Sequence, residues 1–224
     1  MSPSNKPLRV ILSEKAANFP EHVSGISFIY EPDLWQNPEK LMQSIQDVDG
    51  LIFRNQTQVN ATILSNAKNL QVIGRLGAGL DNIDCHAARA AGIQIVYAPD
   101  ANTLSVAEYC LAQIFTILRK LPNAMLSTKS GEWQRAKFTG RELSETLIGL
   151  VGFGKIARAL AERIHYLGGR VIVATRAPEK VPNIFDAVSL NVLLKQADIL
   201  SLHIPGGSET KHLMSLPQFE AMKS

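Results

Sequence analysis

Short apolar runs recur along the first hundred residues of the chain. They are LRVIL (8–12), ISFIY (26–30), GLIF (50–53), LQVIG (70–74) and IQIV (93–96). Segments with the three- and four-residue spacing of a helix lie between several of these runs, at 38–46 and 84–91. Asp84 can cap the second of these helices, and Gly92 can end it. Short strands that alternate with helices predict an α/β fold with a parallel sheet.

A longer helix and a second α/β series follow. Residues 103–121 contain no Gly or Pro and carry apolar residues at helical spacing. The apolar face of this helix is wider than one packing partner needs, which indicates a buried or intersubunit position. Near-continuous apolar runs at 146–151, 170–175 and 197–204 are typical of strands covered on both faces. We therefore place a boundary near residue 101, which gives domains 1–101 and 102–224.

The composition excludes several classes of protein. Apolar residues make up 46% of the chain, charged residues 19%, and the net charge of +3 is scattered, so a disordered chain or a nucleic-acid partner is not indicated. Two cysteines, Cys85 and Cys110, cannot build a disulfide framework. The absence of a signal peptide or a membrane-length apolar run predicts a cytoplasmic protein with no membrane partner. No metal is expected, because the spacing of a zinc site is missing from His22, His86, His165 and His212.

The segment from Gly152 to Ala157, GFGKIA, matches the pattern G-x-G-x-x-G/A. An apolar strand precedes it and an amphipathic helix follows at once, which is the setting that a dinucleotide-binding loop requires. Gly152 allows the tight turn, Gly154 lets the backbone approach a pyrophosphate, and Ala157 lets the helix pack on the strand. The N-terminus of the helix then receives the phosphate charge.

The second strand of this unit ends in Thr175 and Arg176, without the carboxylate that usually holds the ribose of NAD. Arg176 and Lys180 offer positive charge where a 2′-phosphate would lie, which favours NADP over NAD as the cofactor. In the alternative interpretation, Arg176 points into solvent and Thr175 holds the ribose of NAD.

Several blocks together resemble the D-isomer-specific 2-hydroxyacid dehydrogenases, which include phosphoglycerate, hydroxypyruvate and glyoxylate reductase-type enzymes. The blocks are GRLGAGLDNID (74–84), NTLSVAEY (102–109), GEW (131–133), RELSETLIGLVGFGKIARAL (141–160) and ADILSLHIPGGSETKHLM (197–214). The resemblance implies a flavodoxin-like substrate domain followed by a Rossmann cofactor domain, here incomplete at its C-terminus. It implies reversible hydride transfer between a nicotinamide cofactor and a small 2-keto or 2-hydroxy acid. It also implies a homodimer built on the long helix.

The resemblance carries site residues onto this sequence. The substrate carboxylate would bind at Leu76, Gly77, Ala78 and Gly79, and Arg54 would meet that carboxylate or a distal group of the substrate. Arg75 is either a further anion-binding residue or a surface arginine paired with an acid. The run around Arg54 is similar to that of sulfolactate dehydrogenase-type members, whose substrate carries a second anion. The implied cofactor residues are Ala78, Thr103, Gly152, Phe153, Gly154, Lys155, Ile156, Thr175, Arg176, His203, Ile204, Pro205 and Thr210.

The family's catalytic arginine, glutamate and histidine fall beyond Ser224. We do not assign His203 as the general acid, because the family's catalytic histidine lies later in the chain. Reduction of a ketone needs a cation and an acid at the carbonyl, so these 224 residues are expected to be inactive. A sheet without its later strands would expose an apolar edge, which predicts weak cofactor binding and self-association. The alternative function is a non-catalytic NAD(P)-binding sensor or remnant.

Overall fold

The computed structural model of the chain describes residues 6–17, 19–20, 22–207 and 209–223. The chain divides into two compact units, Met1–Asn102 and Thr103–Ser224. Each unit has its own parallel sheet and its own buried core.

The first unit contains a five-stranded sheet in the order β2-β1-β3-β4-β5 within the described residues. Its strands are β1 (Leu8–Leu12), β2 (Ile26–Tyr30), β3 (Gly50–Phe53), β4 (Val72–Arg75) and β5 (Gln94–Tyr97). All four neighbouring pairs are parallel. This is the flavodoxin-like order, so the fold predicted for the first unit is confirmed. The first three strands also have the predicted bounds, whereas β4 and β5 begin and end one or two residues later.

Three α-helices cross between these strands in the described part of the first unit: α1 (Pro38–Ser44), α2 (Ala61–Asn66) and α3 (Cys85–Ala90). Side-chain oxygens cap all three, and the Oδ1 atom of Asp84 accepts from the N–H of Ala87 at 2.9 Å, as the sequence predicts. Gly92 follows α3 with φ +72°. The helix predicted over 38–46 ends at Ser44 and continues as a 3-10 turn, Ile45–Asp47. Ile11, Leu51, Phe53 and Ile73 lie fully buried between the sheet and these helices.

The second unit contains a four-stranded parallel sheet in the order β8-β7-β6-β9 within the described residues. Its strands are β6 (Leu147–Val151), β7 (Arg170–Ala174), β8 (Asp186–Ala187) and β9 (Ile199–Leu202). Counted from β6, this order is 3-2-1-4, the arrangement of the first four Rossmann strands. The Rossmann fold predicted for this unit is therefore confirmed.

The helices of the second unit are α4 (Thr103–Leu118), α5 (Leu121–Lys129), α6 (Lys155–Tyr166), α7 (Leu190–Gln196) and α8 (Leu216–Glu220). α4 packs against α6, and Ala107, Leu160 and Ile164 are fully buried or nearly so in the shared core. Because β6 is central and covered on both faces, Ile148 and Leu150 are completely buried.

The helix predicted over 103–121 is too long. It ends at Leu118, and Lys120 adopts a left-handed conformation with φ 50° and ψ 36° before α5 begins. Pro122 has no N–H with which to bond the carbonyl of Leu118, so the helix cannot continue through it. The N–H of Arg141 donates to that carbonyl instead, at 3.1 Å.

Asp198 joins separate segments of the second unit. Its Oδ2 atom accepts from the N–H of Leu147 at 2.8 Å, and its Oδ1 atom pairs with Lys223 Nζ at 2.7 Å and with Arg141 at 3.2 Å. The backbone bond from Leu147, together with the bonds from Lys223 and Arg141, holds the pKa of the Asp198 carboxyl well below its usual range. The side chain is 9% exposed, so the aspartate connects the start of β6 to the segment that follows α8 from a largely buried position.

Candidate nucleotide-binding site

The turn from β6 into α6 requires glycine at its first position. Gly152 has φ +92°, and a Cβ atom there would overlap the carbonyl oxygen of His203 and lie 2.9 Å from its carbonyl carbon. The N–H of Gly152 donates to the carbonyl of Ala174 at 2.7 Å. The turn therefore passes directly against the end of β9, a path that a side chain would block.

Gly154 is the N-cap of α6, and it offers no side-chain hydrogen bond to the helix. The first amides of a helix have no intrahelical acceptor, so this terminus presents donors and the positive end of the helix dipole. A Cβ atom at Gly154 would meet no atom within 4 Å. Ala157, one turn later, is completely buried. The loop thus combines an open approach to the helix terminus with tight packing behind it, which fits a pyrophosphate.

A cavity of about 540 Å³ opens beside this loop. Most of the residues that the sequence predicts for the cofactor lie in its wall. These are Gly152, Phe153, Gly154, Thr175, Arg176, His203, Ile204, Pro205 and Thr210. The wall also contains residues that the sequence analysis missed: Val151, Ala174, Ala177, Val188, Ser189, Leu190, Glu209 and Leu213. Because β6, β7 and β9 are parallel, their carboxyl ends meet at this edge of the sheet, where open α/β sheets bind ligands.

Four residues predicted for the cofactor lie outside the described wall of this cavity. Lys155 and Ile156 form the start of α6, and Thr103 is the first residue of α4. Ala78 belongs to the first unit, in the turn after β4.

Arg176 lies at the rim of the cavity and pairs with Glu209, with 2.8 Å between Arg176 Nη1 and Glu209 Oε2. Both side chains are largely exposed, at 83% and 77%. The Oγ1 atom of Thr175 accepts from the N–H of Ala177 at 3.3 Å. The sequence did not indicate Glu209, because this residue lies 33 positions after Arg176 and no local pattern shows that it contacts the end of β7.

His203 lies just after β9, where its N–H donates to the carbonyl of Val151 at 2.8 Å. Its Nε2 atom is 2.9 Å from the hydroxyl of Ser201. Burial lowers the pKa of His203, so the imidazole is neutral at pH 7. The hydroxyl of Thr210 donates to the carbonyl of Pro205 at 2.7 Å, which closes the following loop on itself.

In the first unit, the glycine turn predicted for the substrate follows β4. The N–H of Leu76 donates to the carbonyl of Phe53 at 2.8 Å, which fixes the start of the turn. The guanidinium of Arg75 occupies the space that a Cβ atom of Gly77 would need, and its Nη2 lies 3.9 Å from the equivalent position at Gly79. Its Nε atom is buried without a hydrogen-bond partner in the described part of the chain. The Oδ2 atom of Asp81 lies 2.9 Å from the same position at Gly79, so Arg75 lies against the predicted carboxylate turn with an acid close by.

Arg54 is exposed and lines a second cavity of about 310 Å³ at the carboxyl ends of β1 and β3. The other lining residues are Glu14, Lys15, Pro32, Asp33, Trp35, Asn55 and Gln56. β1 and β3 are neighbours at the point where the order 2-1-3-4-5 reverses, which is the usual ligand crevice of such a sheet. Glu14, which no sequence motif indicates, is buried beside this cavity.

Residues 111–224 match the family model for the D-isomer specific 2-hydroxyacid dehydrogenase NAD binding domain. A D-3-phosphoglycerate dehydrogenase from Archaeoglobus fulgidus is 37% identical over 190 residues, which cover 83% of this chain and 36% of that protein. The chain belongs to the D-isomer-specific 2-hydroxyacid dehydrogenase family. A hydroxypyruvate reductase from Thermotoga maritima is 35% identical over 185 residues, which cover 83% of this chain and 60% of that reductase.

A crystal structure of D-lactate dehydrogenase from Aquifex aeolicus, complexed with NAD and lactic acid, shares the fold of this chain. Its TM-score is 0.86 at 24% identity, and the match covers 96% of this chain and 66% of that one. The chain thus spans from about a third to about two thirds of the length of the proteins it matches.

The described residues contain neither a candidate metal site nor a candidate membrane-spanning helix. No group of three or more His, Cys, Asp and Glu side chains there is arranged to hold a metal ion. None of the helices described is long and apolar enough to cross a bilayer.

Proposed function

We propose that the second unit binds a nicotinamide dinucleotide, with the pyrophosphate on the N-terminus of α6. One observation carries this proposal: the helix terminus at Gly154 has no side-chain cap and opens onto the cavity beside it. The amides after Gly154 would hold the pyrophosphate, and Thr175 and Arg176 would hold the adenosine ribose. The loop from His203 to Thr210 would border the nicotinamide ribose. When bound, the nicotinamide donates or accepts the hydride.

The cofactor that we propose is NADP(H), with NAD(H) as the alternative. A charge-assisted bond from Arg176 to a 2′-phosphate is worth about 1.5–3 kcal/mol. Its exposed pair with Glu209, which the phosphate would have to displace, is worth about 0–1 kcal/mol. The difference favours the phosphate by about 1.5 kcal/mol, or about tenfold in affinity. The absence of a carboxylate at Thr175 and Arg176 supports the same choice.

The substrate that we propose is a small 2-keto or 2-hydroxy acid. Its carboxylate would be received by the backbone of Leu76 to Gly79, beside the guanidinium of Arg75. Arg54, in the separate cavity after β3, would meet a second anionic group. The curated relatives are named for phosphoglycerate and hydroxypyruvate, and the first of these carries a distal phosphate.

We further propose that the first unit is the substrate domain, the second is the cofactor domain, and the protein is a cytoplasmic homodimer. The dimer would use α4, on which Leu104, Tyr109 and Ile117 are at least 57% exposed. Contiguous exposed apolar surface marks interaction sites, and in the proposed dimer these side chains would contribute to such a surface.

A polypeptide of residues 1–224 should bind nucleotide without turning over a 2-keto acid. The family resemblance implies an arginine, a glutamate and a histidine for carbonyl polarisation and proton transfer, and it implies none of the three within residues 1–224. Measurable oxidation of NADPH by glyoxylate or hydroxypyruvate in the purified polypeptide would refute this statement.

Titration of the protein with NADPH and with NADH, followed by the fluorescence of the reduced nicotinamide, tests the cofactor proposal. We expect saturable binding of both, with NADPH tighter by about tenfold. A clear preference for NADH would overturn the assignment of NADP, and saturable binding of neither would overturn the site.

A further inference from the structure

A buried carboxylate in the first unit has no role in the proposed chemistry. Glu14 follows β1 and is only 3% exposed, yet it carries an ionisable group. Its Oε1 atom accepts from the N–H groups of Gln56 and Thr57, at 3.0 and 2.7 Å, and from the hydroxyl of Thr57 at 2.8 Å. Its Oε2 atom accepts from the N–H of Asn55 at 3.2 Å. Four donors from one short loop thus converge on a single side chain.

These donors satisfy the charge without a cation. Burial opposes ionisation of Glu14, but the bonds from the backbone and hydroxyl of Thr57 and from neighbouring amides outweigh it, so the net effect lowers the pKa of the carboxyl. No ion pair to Glu14 occurs among the described residues. The carboxylate therefore acts on the backbone of the loop after β3 rather than on another side chain.

The network continues toward the predicted carboxylate turn. The hydroxyl of Ser13 lies 3.0 Å from that of Thr57. The Nδ2 atom of Asn82, in the segment after the glycine turn, donates to the carbonyl of Thr57 at 2.8 Å and to that of Arg54 at 3.4 Å. The end of β1 and the segment after β4 thus both hold the loop that begins with Arg54.

We infer that Glu14 is a positioning residue that acts through Arg54 on the second anionic group of the substrate. The buried carboxylate fixes the backbone from Asn55 to Thr57, so the exposed guanidinium of Arg54 is presented at the mouth of its cavity with little freedom left in the loop. This inference rests on the proposed function, because Arg54 needs an anionic ligand. It assigns the selection of a dianionic over a monoanionic 2-hydroxy acid to a carboxylate whose hydrogen bonds go to the loop that follows Arg54.

The test compares two ligands that differ only in the distal group, D-3-phosphoglycerate and D-glycerate, by calorimetric titration of the full chain. Glu14→Gln replaces one carboxylate oxygen with an NH₂ group that faces N–H donors. We expect this change to weaken the affinity for D-3-phosphoglycerate by about tenfold and to leave the affinity for D-glycerate within about twofold of the wild-type value. Glu39→Gln, on the exposed first turn of α1, is the matched control and should change neither affinity.

A double-mutant cycle with Arg54→Ala separates positioning from general stability. If Glu14 acts through Arg54, Glu14→Gln has no further effect on D-3-phosphoglycerate affinity once Arg54 is alanine. Equal losses for the two ligands, additive losses in the cycle, or a wild-type protein that does not prefer the phosphorylated ligand would each overturn the inference. Thr57→Val, which removes only one donor, replaces Glu14→Gln if that variant does not fold, with an expected loss of about threefold.

Amide hydrogen exchange gives a readout that needs no ligand. Glu14→Gln should speed exchange at residues 55–57 by about tenfold while the amides of β6 remain protected. Unchanged exchange at these amides would refute the anchoring role. NADPH titration of the same variants keeps the two proposals apart: failure of the wild type to bind NADPH refutes the nucleotide site, whereas the exchange result bears on Glu14 alone.

Discussion

Replacement of Gly154 with alanine separates the fold of the glycine loop from its function. A Cβ atom at this position would meet no protein atom within 4 Å, and the backbone, at φ −74°, is accessible to any residue. Loss of backbone freedom in the unfolded chain stabilises the variant by about 0.4–1 kcal/mol. Alanine is a poorer N-cap than glycine, which costs a similar amount. We therefore expect the free energy of unfolding to change by less than about 1 kcal/mol.

Nucleotide binding should respond quite differently. The new methyl group occupies the open side through which a pyrophosphate would approach the amides of α6. Loss of one charge-assisted hydrogen bond costs about 2 kcal/mol, which corresponds to about 30-fold weaker binding of NADPH. Urea denaturation measures the first quantity, and fluorescence titration with NADPH measures the second. Unaltered NADPH affinity in a folded Gly154→Ala variant would refute the assignment of the pyrophosphate to this helix terminus.

Three further predictions concern the same unit. Gly152→Ala adds a Cβ atom that overlaps the His203 carbonyl at φ +92°, so it should lower the free energy of unfolding by about 3 kcal/mol in urea. Arg176→Ala should weaken the binding of NADPH by about tenfold and leave the binding of NADH nearly unchanged. Glu209→Gln frees Arg176 from its ion pair, so it should tighten the binding of NADPH alone in fluorescence titrations. Asp198→Asn should destabilise the protein by about 2 kcal/mol at pH 7. Because the folded-state pKa of Asp198 is lowered, its stabilisation is complete above the unfolded-state pKa of about 4. It is lost progressively as the pH falls from there toward the much lower folded-state pKa, so the free energies of urea unfolding of the variant and the wild type should approach each other in that range.

Each of these predictions has a contradicting result. Wild-type stability in Gly152→Ala would show that the loop can leave the end of β9. Equal losses of NADPH and NADH in Arg176→Ala would show that Arg176 does not read the 2′-phosphate. A destabilisation by Asp198→Asn that does not decrease at all as the pH falls below about 4 would show that the ionised aspartate stabilises the protein no more than the protonated one.

Every described strand except β8 was predictable, because each is a short apolar run bounded by polar or turn residues. The two residues of β8, Asp186–Ala187, form no apolar run, and the sequence did not indicate this strand. β6 and β7 are covered on both faces, so their sequences are nearly continuous apolar runs. The edge of the sheet that carries the site was predictable from the fold, because the carboxyl ends of parallel strands meet at that edge. Gly152, Thr175 and His203 lie there. The glycine pattern and the strand ends thus indicated part of the cavity wall, and the family resemblance added Phe153, Ile204, Pro205 and Thr210.

The functional residues that the sequence did not indicate depend on contacts between segments distant in sequence. Glu14 has no motif around it, and its role appears only when the loop after β3 folds over it, more than 40 residues later. Glu209 reaches Arg176 across 33 residues in the same way. The end of α4 was misjudged for a local reason: Pro122, just beyond the apolar pattern, removes the N–H that the last turn would need.

The pyrophosphate site is tested most directly by amide chemical shifts of the isotopically labelled protein during titration with NADPH. The account predicts that the largest shifts fall on the amides at the start of α6, from Gly154 to Ala157, with smaller shifts at Thr175 and Arg176. Saturating NADPH that leaves the amides of Gly154 to Ala157 unmoved in a folded sample would contradict it.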